Sequence, residues 1–142
     1  MKRRFLLDIN VVLDVLLDRQ PHAEAAAGLW GRVERGEARG LLPTHALTTI
    51  HYLAAKTRGG GFAREVLDQL LTVFRVVAVD EKILRRALEM PLRDFEDSVC
   101  AACAESATCD AVVTRDPLGF RGAPIAVINP ATAIGWLDAT ER

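Results

Sequence analysis

The chain reads as a single α/β domain spanning residues 1–142, with a central parallel sheet of four to five strands flanked by about seven helices. Three observations predict this. Short apolar or β-branched runs alternate with segments of helical period along the whole sequence. No repeat, low-complexity stretch or linker divides it. Aspartates follow two of the strand-like runs, at the carboxyl ends where parallel sheets place their sites.

Each element has its own local signal. RRFLLD (3–8) is a short buried strand, and Asn10 is placed to cap the helix that NVVLDVLLD begins. PHAEAAAGLWGRVERGE (21–37) starts with Pro21 near a first helical turn, carries an apolar stripe through Ala25, Leu29 and Val33, and stops around Gly36. ARGLLP (38–43) is a second strand and THALTTIHYLAAK (44–56) a third helix. RGGG (58–61) is a flexible break before the helix FAREVLDQLLTVF (62–74); it lacks the GK[ST] of a phosphate loop and is expected to act as a hinge. RVVAV (75–79) is a strand, and Asp80 caps EKILRRALEM (81–90), which Pro91 ends. DFEDSVCAACAESA (94–107) is a helix with a small-residue face, AVVT (111–114) and PIAVIN (124–129) are strands, and Asn129 with Pro130 opens a terminal helix.

Composition narrows the function classes. At 142 residues the chain can bury a core without a disulfide or structural metal. With 50% hydrophobic and 26% charged residues it is not disordered, and no apolar run is long enough to cross a bilayer. The start, MKRRFLLDINVVLDVLLD, imitates a signal peptide. Asp8, Asn10, Asp14 and Asp18 interrupt its apolar region and no small-residue cleavage site follows, so a cytoplasmic location without a membrane partner is expected. Cys100, Cys103 and Cys109 are an odd number, and the CxxC lies inside a helical run, so buried thiols are expected rather than disulfide, redox or zinc chemistry. A formal net charge of −1 neither demands nor forbids a polyanionic partner.

The acidic residues carry the chemistry. Asp8 follows the strand FLL, and Asp116 follows AVVT with Arg115 interposed. Asp94, Glu96 and Asp97 open the helix that precedes AVVT, where the helix dipole favours negative charge. Singly, each has an ordinary explanation as a helix cap, a turn residue or a first-turn acid. Asp97 lies at the edge of the face formed by Val99, Ala102 and Cys103, from which it can lean over the sheet end. Carboxylates from three segments converging there would repel one another unless a cation neutralised them. All-oxygen ligation suits Mg²⁺ or Mn²⁺, ions that act on phosphates.

LLDINVVLDVLL resembles the opening strand and helix of PIN domains, small metal-dependent nucleases of which many are toxins of VapC-like toxin–antitoxin pairs. Ile9 stands where that pattern has Thr or Ser. FEDSVCAACAESATCDAVVTRDP resembles the second half of the pattern, in which an Asp opens an alanine-rich helix and a strand ends in Thr-Arg-Asp. The order and spacing of elements agree over essentially the whole chain. The resemblance implies that Asp8, Asp97 and Asp116 are catalytic metal ligands, with Glu96 as a further ligand and Asn10 and Thr114 as supporting polar groups. One departure stands out: the glutamate that the pattern places in the third helix is missing, and Thr48 or Thr49 takes its place. His51, one turn further along the same helix, is a further candidate polar group.

The implied activity is hydrolysis of RNA phosphodiester bonds by an endoribonuclease using Mg²⁺ or Mn²⁺. Arg115 is the first expected contact to the RNA backbone, with Lys56 and Arg58 after it. The partners expected are RNA, an antitoxin protein and a second copy of the chain, the last because Trp30, Phe62 and Trp136 are apolar residues to spare. The loss of the third-helix acid favours an alternative, a catalytically weakened PIN-like module that binds RNA or a protein, and predicts weak metal binding that Thr48→Glu would strengthen. A phosphatase or receiver-like domain with Asp8 as nucleophile would want a second acid at position 10 and a late lysine. Asn10 and the absence of lysine beyond Lys82 argue against it.

Overall fold

The computed structural model of the chain describes residues 2–140. β1 (Arg4–Leu7) leads straight into α1 (Ile9–Leu16), and α2 (Ala23–Glu34) follows. β2 (Arg39–Pro43) is followed by α3 (Thr44–Arg58), α4 (Gly60–Val73) and β3 (Arg75–Val77). α5 (Glu81–Leu88), α6 (Phe95–Ser106) and β4 (Ala111–Val113) come next, then a 3-10 turn (Pro117–Phe120), β5 (Val127–Ile128) and α7 (Pro130–Thr140). The sheet is parallel throughout and ordered β3-β2-β1-β4-β5. The α/β class, the parallel sheet of five strands and the seven α-helices are as the sequence predicts.

Strand alternation assigns β1 to two cores at once. Phe5 and Leu7 pack on one face with Val12, Leu29, Ile50 and Leu70, while Leu6 packs on the other with Leu41, Val99 and Val112. A strand buried on both sides has no polar face, hence the unbroken FLL. On the second face α6 presents Ala101, Ala102, Cys103 and Ala104, each at most 1% exposed. Such small side chains let the helix axis sit close to the sheet, which brings its first turn over the carboxyl ends of β1 and β4. All three cysteines are free, with Cys100 and Cys103 buried, as expected.

Several boundaries differ from the sequence reading. Asp8, not Asn10, precedes α1 in extended conformation, and it makes no side-chain capping bond. Asn10 lies inside the first turn, where its Oδ1 accepts from Arg19 Nη1 at 3.3 Å. The RGGG hinge shrinks to Gly59 at φ +89, a conformation that favours glycine, because Gly60 and Gly61 already belong to α4. α2 begins at Ala23 and α5 ends at Leu88, each two residues inside the expected limits. β3 and β5 keep three and two paired residues, since a strand at the sheet edge has one neighbour to hold it.

The spare apolar residues assigned to a homodimer are largely spent inside the chain. Trp30 is 5% exposed and stacks edge-on against Phe74 at 5.2 Å. Phe62 packs on the first core beneath the Arg58 guanidinium, and Trp136 contacts Phe5 and carries Arg3 over its ring. Among the described residues no helix is long and apolar enough to cross a membrane.

Candidate active site

From β1 the chain moves outward to β2 and β3, then returns across the sheet to β4 on the opposite side of β1. The order therefore reverses between β1 and β4, and in open parallel sheets a crevice forms at that point beyond the carboxyl ends of the strands. A cavity of about 220 Å³ opens there. Asp8, Asn10, Glu96, Asp97, Thr114 and Asp116 all line it, and so do Asp94, His45 and Cys100.

Asp8 is 8% exposed at the end of β1. Its backbone N–H continues the ladder to Val113 O at 2.9 Å, which fixes its position against β4. The Thr114 hydroxyl donates to Asp8 Oδ2 at 3.0 Å and accepts from the Asp116 N–H at 3.2 Å. One hydroxyl thus joins the two aspartates, which explains a buried threonine, 1% exposed, at the end of β4. Burial raises the Asp8 carboxyl above its ordinary 3.8, while Thr114 and the Ile9 N–H oppose the rise.

Asp97 reaches the same space from α6. Asp94 caps that helix: its Oδ1 accepts from the N–H groups of Glu96 at 2.8 Å and Asp97 at 3.3 Å. Asp94 is thus the cap rather than a first-turn acid, and it fixes the turn that carries Asp97. Burial first, then the charges of Asp8, Asp94, Glu96 and Asp116, push the Asp97 carboxyl up to about 7. Gly119 lies beside both carboxylates: a Cβ there would lie 3.3 Å from Asp116 Oδ2 and 3.5 Å from Asp97 Oδ2, so a side chain would crowd the Asp116 carboxylate.

The donor set is one of hard oxygens, and the raised carboxyls of Asp8 and Asp97 are what a divalent cation would relieve. Among the described residues no three His, Cys, Asp or Glu side chains are already closed around one point. Side-chain rotation of the exposed Asp116 and Glu96 would therefore have to complete the coordination. The donor chemistry is that of a hard divalent cation.

Two expectations need correcting. Thr48 does not line the cavity: it is exposed, and its hydroxyl donates back to His45 O at 2.9 Å. Thr49 and His51 are likewise not among the lining residues. The α3 side chains that reach the cavity are His45 and Ala46, in the turn that leaves β2. His45 Nε2 lies 3.8 Å from Glu96 Oε1, and its buried Nδ1 has no hydrogen-bond partner. The carboxyl-end rule, applied to β2 as it was to β1 and β4, would have drawn attention to His45. Second, Arg115, expected as the first RNA contact, is not among the lining residues either. It donates to Oδ1 of Asp14, a carboxylate 1% exposed, at 2.9 Å. Lys56 lies 11 residues beyond His45 on α3, roughly 16 Å along the helix axis, and Arg58 stacks on Phe62 beyond it.

The comparisons with known proteins agree with this geometry. The family model described as PIN domain matches residues 4–117. FitAcB from Neisseria gonorrhoeae superposes with a TM-score of 0.67 at 23% identity, over 89% of this chain and 97% of that one. DNA-bound VapBC from Salmonella typhimurium gives 0.68 at 17% identity, over 92% and 99%. VapC20 from Mycobacterium tuberculosis, described as a sarcin-ricin loop cleaving toxin, gives 0.61 at 16% identity, over 76% and 86%. At such identities the superpositions show a shared fold. No curated relative matches the sequence. With the family pattern running from β1 through Asp116, and the carboxylates gathered at the switch point of the matching fold, the chain belongs to the PIN domain family.

Proposed function

We propose that the protein is a divalent-metal-dependent endoribonuclease, the toxin of a toxin–antitoxin pair, that hydrolyses RNA phosphodiester bonds. The observation that carries this reading is the cavity in which Asp8, Asp97 and Asp116 meet with no basic side chain among its lining residues except His45. Stored repulsion of this kind is unfavourable for folding and useful for holding a cation. The chain's likeness to VapC toxins supports the substrate class.

Asp8, Asp97 and Asp116, with Glu96, would hold Mg²⁺ or Mn²⁺. When bound, such an ion lowers the pKa of water and neutralises charge on a phosphodiester. The chain's own groups set the geometry. Thr114 holds the Asp8 carboxylate in the cavity wall by donating to Oδ2. Asp94 orders the first turn of α6, so that Asp97 arrives in a fixed position. Gly119 keeps the space between Asp97 and Asp116 clear, and Phe120 walls off one side. Asn10, tied to Arg19, supplies a polar rim.

The test is incubation of purified protein with mixed RNA, with and without Mn²⁺. Cleavage that needs both Mn²⁺ and Asp8 is the expected result. RNA binding without cleavage at any Mn²⁺ concentration would instead support the binding module, the reading that the acid-free α3 favours. The partners proposed are RNA, an antitoxin and a second copy of the chain. A homodimer would have to use exposed side chains such as Tyr52 and Leu71 rather than the tryptophans, and light scattering decides it.

A further inference from the structure

Asp14 lies in α1, one turn beyond the cavity-lining Asn10, and is 1% exposed, yet two arginines share one of its oxygens. Arg115 Nη1 is 2.9 Å and Arg19 Nη1 3.8 Å from Asp14 Oδ1. Arg19 is also held by its main chain, whose N–H donates to Asp14 O at 3.0 Å, and by Asn10 Oδ1 at 3.3 Å. One buried carboxylate needs one cation. The second guanidinium leaves a net positive charge fixed in place, and each fork has five N–H donors of which few are used here. The side chains are 31% and 35% exposed, so those donors can reach a ligand.

The location suits a substrate. Asn10, Thr114 and Asp116 line the cavity, and Arg19 and Arg115 are attached to them by a hydrogen bond and by the chain itself. Five acids, Asp8, Asp94, Glu96, Asp97 and Asp116, face that cavity and would repel a polyanion, so a nucleic acid can be held there only if cations grip it at the rim. Guanidinium forks match phosphate geometry in two-pronged contacts.

The geometry points to a phosphate-binding site at the cavity rim, in which Arg19 and Arg115, positioned side by side by the buried Asp14, clamp the RNA phosphodiester next to the one being cut. It deepens the ribonuclease reading and rests on it. Asp14 is a positioning residue; the two arginines make the contact.

A salt series decides it. Binding of a fluorescein-labelled single-stranded RNA to the full chain in Ca²⁺ is followed by anisotropy, with inorganic phosphate as competitor in a parallel arm. Arg19→Gln should weaken RNA binding roughly tenfold and lower the salt slope by about 0.7, the value for one phosphate contact on a single strand. Arg19→Lys should recover the slope and only part of the affinity. Asp14→Asn removes a negative charge, so simple attraction predicts tighter binding, whereas a positioning role predicts weaker binding. Displacement by phosphate that Arg19→Gln abolishes would show that the site takes phosphate itself. Mn²⁺ affinity should stay the same in Arg19→Gln, because that residue is no ligand. If Arg19→Gln binds RNA with wild-type affinity and slope, the clamp is wrong while Asp8-dependent cleavage stands. If the wild-type chain neither binds nor cuts RNA, the ribonuclease reading and the clamp fall together.

Discussion

Asp8 and Asp14 lie six residues apart on one strand–helix unit, and both carboxylates are buried. Their surroundings differ. Asp14 has an arginine at 2.9 Å and a second at 3.8 Å, so its charge is compensated within the chain. Asp8 has the Thr114 hydroxyl at 3.0 Å, the Ile9 N–H and the field of Arg115 set against a cavity lined by four other acids, so its charge is compensated only in part. A buried carboxylate that its own protein neutralises belongs to the framework. One left unneutralised is held ready for something from outside.

Substitutions at the two positions should pull activity and stability apart. The largest effect is on cleavage: Asp8→Asn, Asp97→Asn and Asp116→Asn should each lower Mn²⁺-dependent RNA hydrolysis more than about a hundredfold, since even residues that only orient metal ligands are worth 10–100-fold. Urea melts should show all three folded. Any of them keeping full activity would remove that residue from the site. Asp14→Ala should do the reverse in free energy, lowering stability by about 3 kcal/mol, the low end for a broken buried pair because the arginines are partly exposed. A melt unchanged from wild type would mean that the Asp14 pair contributes nothing.

The pH dependence sharpens the contrast. The folded chain holds the Asp97 carboxyl at about 7 against an ordinary 3.8, so it binds a proton that the unfolded chain releases. Without metal, stability therefore falls as pH rises through that window. Asp97→Asn should melt higher than wild type at about pH 8 and lose that advantage near about pH 4. An equal gain at both pH values would assign it to packing instead. The smallest expected effect is on α3. His45→Glu should tighten Mn²⁺ binding several-fold, because it adds a carboxylate to the cavity, and Thr48→Glu should leave it unchanged. Tightening by Thr48→Glu alone would put the missing acid back where the sequence suggested.

Much of the fold was legible because its signals are local. The unbroken FLL and AVVT needed burial on both faces, and Asp80 read correctly as a helix cap. The principal aspartates were legible too, because strand ends are visible in sequence and their convergence follows from a parallel sheet. Their compensation was not. Nothing local in the sequence connects Arg115 to Asp14 a hundred residues away. His45 was missed for a different reason: attention went to the expected acid in the middle of α3, whereas only the first turn of that helix faces the cavity.

As proposed, Asp8 and its neighbours hold a divalent ion, while Asp14 is neutralised within the chain. Calorimetric titration of Mn²⁺ into the wild-type, Asp8→Asn and Arg19→Gln proteins tests it most directly. Binding in the wild type, loss in Asp8→Asn and wild-type affinity in Arg19→Gln is the result predicted. Equal Mn²⁺ affinity in wild type and Asp8→Asn would contradict it.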